Sequence, residues 1–251
     1  MRAPARVAAG SAGPGKGGEC ELSCGEVHVW IVDLGTAADG TCQLLNAAER
    51  ARAASYLGAA DRTRFAASRA ALRRILGHYL GADPAAVRFD TGPGGRPVLA
   101  GELGQQAPGL QFSLSRSASV ALVAVSAGPV GADVEAIVPR DGLADLAAAR
   151  FGPTEAACIT SGGCAGSPLR SFYRHWTARE AWLKAIGVGV AGLRDVEFDC
   201  GLVPAVRLRR AEGIAPGLRL HVLDISPELA GVVAATGPIT ICQPLSGLVP
   251  Q

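Results

Sequence analysis

The chain has 251 residues, nearly half of them apolar and 18% charged, with a net charge of only +2. That composition can build a sizeable core, in one large domain or in two of about 100–150 residues each. The balanced charge excludes a general nucleic-acid binder, and the most apolar stretch, 118–130, is too short to cross a bilayer.

Residues 1–25 are rich in Ala, Gly and Pro and lack the apolar segment of a secretory signal, so they read as a disordered extension. Residues 27–34 (VHVWIVDL) alternate as a first strand. A helix is predicted over 44–56, with Glu49, Arg50 and Arg52 on its polar side. A second follows from DRTRFAASRAALRRILGHYLG, capped by Asp61 and stopped by Gly81. Residues 87–90, 96–99, 110–114 and 120–125 read as short strands, joined by GPGG and by a polar turn, SRSAS.

The order then restarts. A strand is predicted at 130–136, helices at 143–151 and 153–159, and a longer helix through FYRHWTAREAWLKAIGVGV, 172–190. Strands at 196–199, 205–209, 218–223 and 229–234 close the chain. Strand, helices, several strands thus occurs twice, which predicts an α+β fold of two similar lobes. Each lobe would be a small antiparallel-rich sheet packed with helices, the two related by a pseudo-two-fold. The expected division is an N-terminal lobe over 26–128, a C-terminal lobe over 129–240 and a tail over 241–251.

Seven cysteines fall in no CxxC or Cys/His metal spacing, so neither a metal site nor a disulfide scaffold is expected. A soluble protein of the reducing cytoplasm fits best. Arg50, Arg52, Arg62, Arg64, Arg69, Arg73 and Arg74 crowd the first half and suit an anionic ligand or an acidic partner.

Two constellations could carry chemistry. Asp133 and Glu135 in GPVGADVEAI are two apart on a strand, so they share a face. Buried together they would need a cation; on an edge strand in water they would need nothing. On the 172–190 helix, Ala178, Ala181, Trp182 and Ala185 form the buried stripe. Glu180 and Lys184 lie off it, ~40° apart around the axis. Local reasoning favours a structural role for both: Thr177 to Glu180 has the form of a capping box, and Glu180 with Lys184 makes an i,i+4 surface pair.

Taken together the blocks resemble the 4′-phosphopantetheinyl transferase superfamily. VGADVE, then after about forty residues FYRHWTAREAWLKAIGVGV, places Gly131, Asp133, Glu135, Trp176, Thr177, Glu180, Ala181 and Lys184 on the family pattern. SLSRS is similar to the SxSHS element and GRP to the GKP element. DRTRFAASRAALRRIL resembles the basic helix of the surfactin-synthetase-activating (Sfp-like), double-lobed class. Ala132 stands where Ile or Val is usual, Arg179 where Lys is usual, and Arg116 where His is usual.

The resemblance implies an enzyme that uses Mg2+ to transfer the 4′-phosphopantetheine arm of coenzyme A to a serine of an acyl or peptidyl carrier protein. The other product would be 3′,5′-ADP. It implies Asp133, Glu135 and Glu180 as metal ligands, Glu180 as base and Lys184 as the pyrophosphate-binding catalytic lysine, with Asp133 also at the coenzyme A site. The 3′-phosphate would be held by Arg96, Ser115 and Arg116, helped by Arg50, Arg52 or Arg64. A monomer serving polyketide or nonribosomal peptide biosynthesis is expected, with no nucleic-acid or membrane partner. An idle coenzyme A or carrier-binding module and a Mg2+ phosphohydrolase are the competing readings.

Overall fold

The computed structural model describes residues 6–8, 22, 25–35, 41–92, 95–163, 165–188, 196–199 and 217–242. In chain order the elements are β1 (Arg6–Ala8), β2 (Val27–Asp33), α1 (Ala47–Ala54), α2 (Ala59–Leu80), β3 (Arg88–Thr91), β4 (Pro97–Ala100), α3 (Gly101–Gln106), β5 (Gln111–Ser117), β6 (Val120–Ser126), β7 (Val130–Ala136), α4 (Leu143–Arg150), α5 (Pro153–Ser161), α6 (Pro168–Ile186), β8 (Arg219–Asp224), β9 (Leu229–Ala235) and β10 (Ile239–Cys242). The fold is mixed α+β.

Two four-stranded sheets form its centre, in the orders β10-β2-β6-β5 and β1-β8-β9-β7. Each is antiparallel except for a parallel strand at one edge: β10 on β2, and β1 on β8. The last described strand therefore joins the sheet built from the first half of the chain, and the first strand joins the other. β1 lies in the stretch expected to be disordered, and β10 runs past the last expected strand. Short strands without strong alternation leave little local signal, and both are specified by the partner they pair with.

Strand alternation gives each sheet two buried faces. Trp30, Val32, Val123 and Val125 pack under Ala71, Leu72, Ile75 and Leu76 of α2. Their neighbours of opposite parity, Val27, Val29, Leu122 and Ala124, meet Val130, Ala132, Val134 and Val233 of the second sheet. The far face of that sheet, through Val222, Val232 and Ala234, receives Ala178, Ala181, Trp182 and Ala185 of α6. The stripe read from the sequence is thus the buried one. α4 and α5 close over the first half of α6 around Phe151, Ile159, Phe172 and Tyr173.

Several local expectations change. The 44–56 helix begins at Ala47, where Asn46 caps the chain in a capping box with Glu49. Glu49 is buried and accepts from Arg73 at 2.8 Å, with Arg69 at 3.4 Å, because α2 packs across it. Asp61 is not the cap of α2; Gly58 is, and Asp61 pairs with Arg64 at 3.2 Å. Gly81 does end α2, with φ at +58°. The residues read as a polar turn, Ser115 to Ser117, continue β5, and α3 was not foreseen. Of the predicted strand 196–199 only an isolated bridge at Phe198 forms, and 205–209 lies outside the described residues.

Cys158 is disulfide-bonded, a pairing not foreseen where no disulfide scaffold was expected, while Cys42 is free. Spacing could not reveal this, since bridging depends on Cα separations that the fold sets. No helix among the described residues is long and apolar enough to cross a membrane.

Candidate active site

β7 and α6 meet back to back, and Gly131 is what lets them. A Cβ at this position would run into the carbonyl oxygen of Ala181 and lie 2.5 Å from the amide nitrogen of Ala185. With no side chain there, the helix backbone lies on the strand. Asp133, two residues on and on the same face, comes within reach of the last turns of α6. Lys184 Nζ donates to Asp133 Oδ1 at 2.6 Å and to the carbonyl of Ala132 at 3.2 Å.

Both structural readings of Glu180 and Lys184 fail on these facts. Thr177 is buried in mid-helix and donates to the carbonyl of Tyr173 at 2.9 Å; the N-cap of α6 is Ser167, ten residues earlier. So Glu180 belongs to no capping box. Lys184 pairs with Asp133 across the elements instead of forming a surface ion pair. The local pattern misled because Pro168 at N1 and Ser167 before it start the helix further back.

Asp133 is buried and Glu135 half-buried, although β7 is the edge strand of its sheet. Their edge is covered by β5, the edge of the other sheet, and the two strands are joined by serines instead of a backbone ladder. Ser113 Oγ accepts the amide of Ala132 at 2.9 Å. Ser115 donates to Asp133 Oδ1 at 2.7 Å. Ser117 accepts the amide of Ala136 at 3.0 Å and donates to Glu135 Oε2 at 2.8 Å. The period-two spacing in SLSRS was the signal for this stripe; Ser113 lay on the expected strand 110–114 without a role, and reading SRSAS as a turn hid Ser117.

Four charged groups therefore crowd one edge. Burial pushes the Glu180 carboxyl above its ordinary value, as do the negative charges of Asp133 and Glu135, while Lys184 opposes them. Burial also raises Glu135, with Asp133 adding to it; the hydrogen bond from Ser117 and the charges of Lys184 and Arg140 pull the other way. Asp133 Oδ2 is buried and accepts no hydrogen bond. Among the described residues no three acidic, His or Cys side chains stand close enough to enclose a metal ion by themselves.

Beside this edge lies a cavity of about 260 Å³ lined by Arg96, Pro97, Phe112, Leu114, Glu180, Leu183 and Lys184. Arg96 donates to the carbonyl of Lys184 at 2.6 Å and to that of Phe112 at 2.9 Å, so it ties α6 to β5; burial lowers its guanidinium below the usual range. Arg116 donates to the Tyr56 hydroxyl at 2.6 Å. Arg52 lies over the same ring, 5.4 Å from its centroid. Arg50 instead donates to the carbonyl of Leu45, and Arg64 to Asp61, so these two face their own segment. Arg179, next to Glu180 in sequence, points the other way, into the core. It ion-pairs with buried Glu155 and lies 4.5 Å from the ring of Phe151.

The same two blocks organise the comparisons. Residues 129–232 match the model of the 4′-phosphopantetheinyl transferase superfamily, and residues 37–128 match that of the 4′-phosphopantetheinyl transferase N-terminal region. The 4′-phosphopantetheinyl transferase HetI of a Nostoc species is 38% identical over 84% of this chain and 88% of its own. The chain belongs to the 4′-phosphopantetheinyl transferase superfamily. It is a transferase enzyme. A phosphopantetheinyl transferase of a Thraustochytrium species is 31% identical over 60% of this chain and 55% of its own. The human L-aminoadipate-semialdehyde dehydrogenase-phosphopantetheinyl transferase is 28% identical over 60% of this chain and 51% of its own.

Proposed function

We propose that this transferase moves the 4′-phosphopantetheine arm of coenzyme A onto a serine of an acyl or peptidyl carrier protein, converting apo to holo and releasing 3′,5′-ADP. The observation that carries the reading is the meeting of Asp133, Glu135, Glu180 and Lys184 at one edge, although they come from sequence blocks about forty residues apart.

The carboxylates suit Mg2+, a hard cation that is held by a few carboxylates and completes its shell with phosphate oxygens and water. Asp133, through its unpartnered Oδ2, with Glu135 and Glu180, would hold it. Bound there, the ion would neutralise charge on the pyrophosphate during in-line attack. The carrier serine oxygen forms a bond to the phosphorus that bears the pantetheine arm, and the bond to the 3′,5′-ADP oxygen breaks. Glu180 takes the serine proton; its raised pKa makes it a better base near neutral pH than an ordinary carboxylate. Lys184 holds a pyrophosphate oxygen as the leaving group departs. Arg116, helped by Arg52, grips the 3′-phosphate, while Arg96 and Ser115 hold the walls in place.

In this reading the chain divides into lobes over 26–128 and 129–240 with a pseudo-two-fold between them, and acts as a cytoplasmic monomer on polyketide or nonribosomal peptide carriers. The matching strand patterns of the two sheets support the division. Incubation with coenzyme A, Mg2+ and an apo carrier protein, followed by intact-mass measurement, tests the reaction. A gain of one phosphopantetheine arm on the carrier is expected. Coenzyme A binding without a gain would mean an idle module, and coenzyme A breakdown without a carrier would mean a phosphohydrolase.

A further inference from the structure

The support beneath Arg116 is built from two aromatic residues of the α1–α2 segment. The rings of Tyr56 and Phe65 are 5.6 Å apart. The Arg116 guanidinium lies over both, 5.3 Å and 5.4 Å from their centroids, and its hydrogen bond to the Tyr56 hydroxyl fixes its rotation. Arg52 approaches the Tyr56 ring and Arg69 the Phe65 ring. The carboxylate in this cluster, Glu49, is taken by Arg73 and Arg69. Burial lowers the Arg69 guanidinium; Glu49 opposes, and Arg73 and Arg116 lower it further. Positive charge here exceeds what Glu49 offsets, which is the charge state of an anion site.

A long arginine gives up rotamer freedom when it grips an anion, and a guanidinium already held by two rings and a hydroxyl gives up less. One of its five N–H donors goes to Tyr56, which leaves enough for a bidentate grip. We infer that Tyr56 is a positioning residue for Arg116 and thereby sets how strongly the protein prefers a substrate that carries the 3′-phosphate. This rests on the proposed reading of Arg116 as a ligand of that phosphate.

Calorimetry on the full chain, with coenzyme A and with 3′-dephospho-coenzyme A, tests the inference. The wild type should prefer coenzyme A by about tenfold or more, the order of one charge-assisted bidentate contact. Tyr56→Phe, which removes only the hydroxyl, should cut that preference about threefold while leaving affinity for the dephospho form unchanged. Arg116→Ala should abolish the preference. A Tyr56→Phe variant with the full preference, beside an Arg116→Ala variant without it, would overturn the role of Tyr56 and leave Arg116 as the ligand. A preference that survives Arg116→Ala would remove Arg116 from the phosphate site and Tyr56 with it.

Discussion

Gly131 of β7 lies directly under the carbonyl of Ala181, so close that a methyl group in its place would overlap that oxygen. Gly131→Ala must therefore push α6 off the strand. Overpacking of this kind costs about 1–3 kcal/mol, and here the obstacle is backbone, which cannot rotate away. Thermal unfolding should show a melting temperature lowered by several degrees, with transfer activity lost because Lys184 no longer reaches Asp133. Gly109→Ala is the control: a Cβ there meets nothing within 4 Å, and its stability should be unchanged.

Glu180→Gln separates chemistry from stability. The folded-state pKa of Glu180 lies above its ordinary 4.5, so the folded protein holds this proton more tightly than the unfolded chain. The sign follows: stability carries no penalty from this group below that value, falls as pH rises from 4.5 toward the raised pKa, and stays lower above it. The variant should equal the wild type in acid and match or exceed it at neutral pH in denaturant titrations. Its transfer rate should fall steeply. A stability loss at neutral pH would contradict the electrostatics described above.

The caps predict a contrast along α6. Ser167→Ala removes the side chain that accepts the amide of Arg170 and should cost about 1 kcal/mol. Thr177→Ser keeps the mid-helix hydroxyl bond to Tyr173 but deletes a fully buried methyl, so its cost of about 1 kcal/mol comes from packing and not from a cap. Urea unfolding of the two variants compares them directly.

Ser117→Ala should release Glu135 from its hydroxyl clip, and Ser117→Thr should restore it. Mg2+ titrations of the transfer rate are expected to show a half-saturating concentration raised several-fold in the alanine variant and near wild type in threonine. Equal Mg2+ dependence in all three proteins would mean the hydrogen bond does not orient a metal ligand.

Behind the site, Glu155 and Arg179 are each at most 2% exposed. Glu155→Ala leaves a buried guanidinium without its carboxylate, at a cost of about 3–5 kcal/mol. Equilibrium unfolding should register that loss, and replacing both Glu155 and Arg179 by apolar residues should recover part of it, because buried His175, whose Nδ1 lies 3.0 Å from Glu155, still loses that carboxylate.

Periodicity alone marked the core elements, because burial is what periodicity encodes: β7, α2 and the Ala178–Trp182 stripe stand where the pattern put them. The acidic pair and Glu180 were also visible, as residues with competing readings. What the sequence could not decide was which residues meet. The capping box at Thr177 and the surface pair of Glu180 with Lys184 are sound local solutions, and they lose to contacts made only when β7 lies beneath α6. The serine stripe of β5, the turn of Arg96 onto the Lys184 carbonyl, the Tyr56 seat of Arg116 and the pairings of β1 and β10 all join residues distant in the chain. Such contacts have no local period, so only the tertiary structure, by bringing two sheet edges and one helix together at Gly131, turns separated motifs into a site.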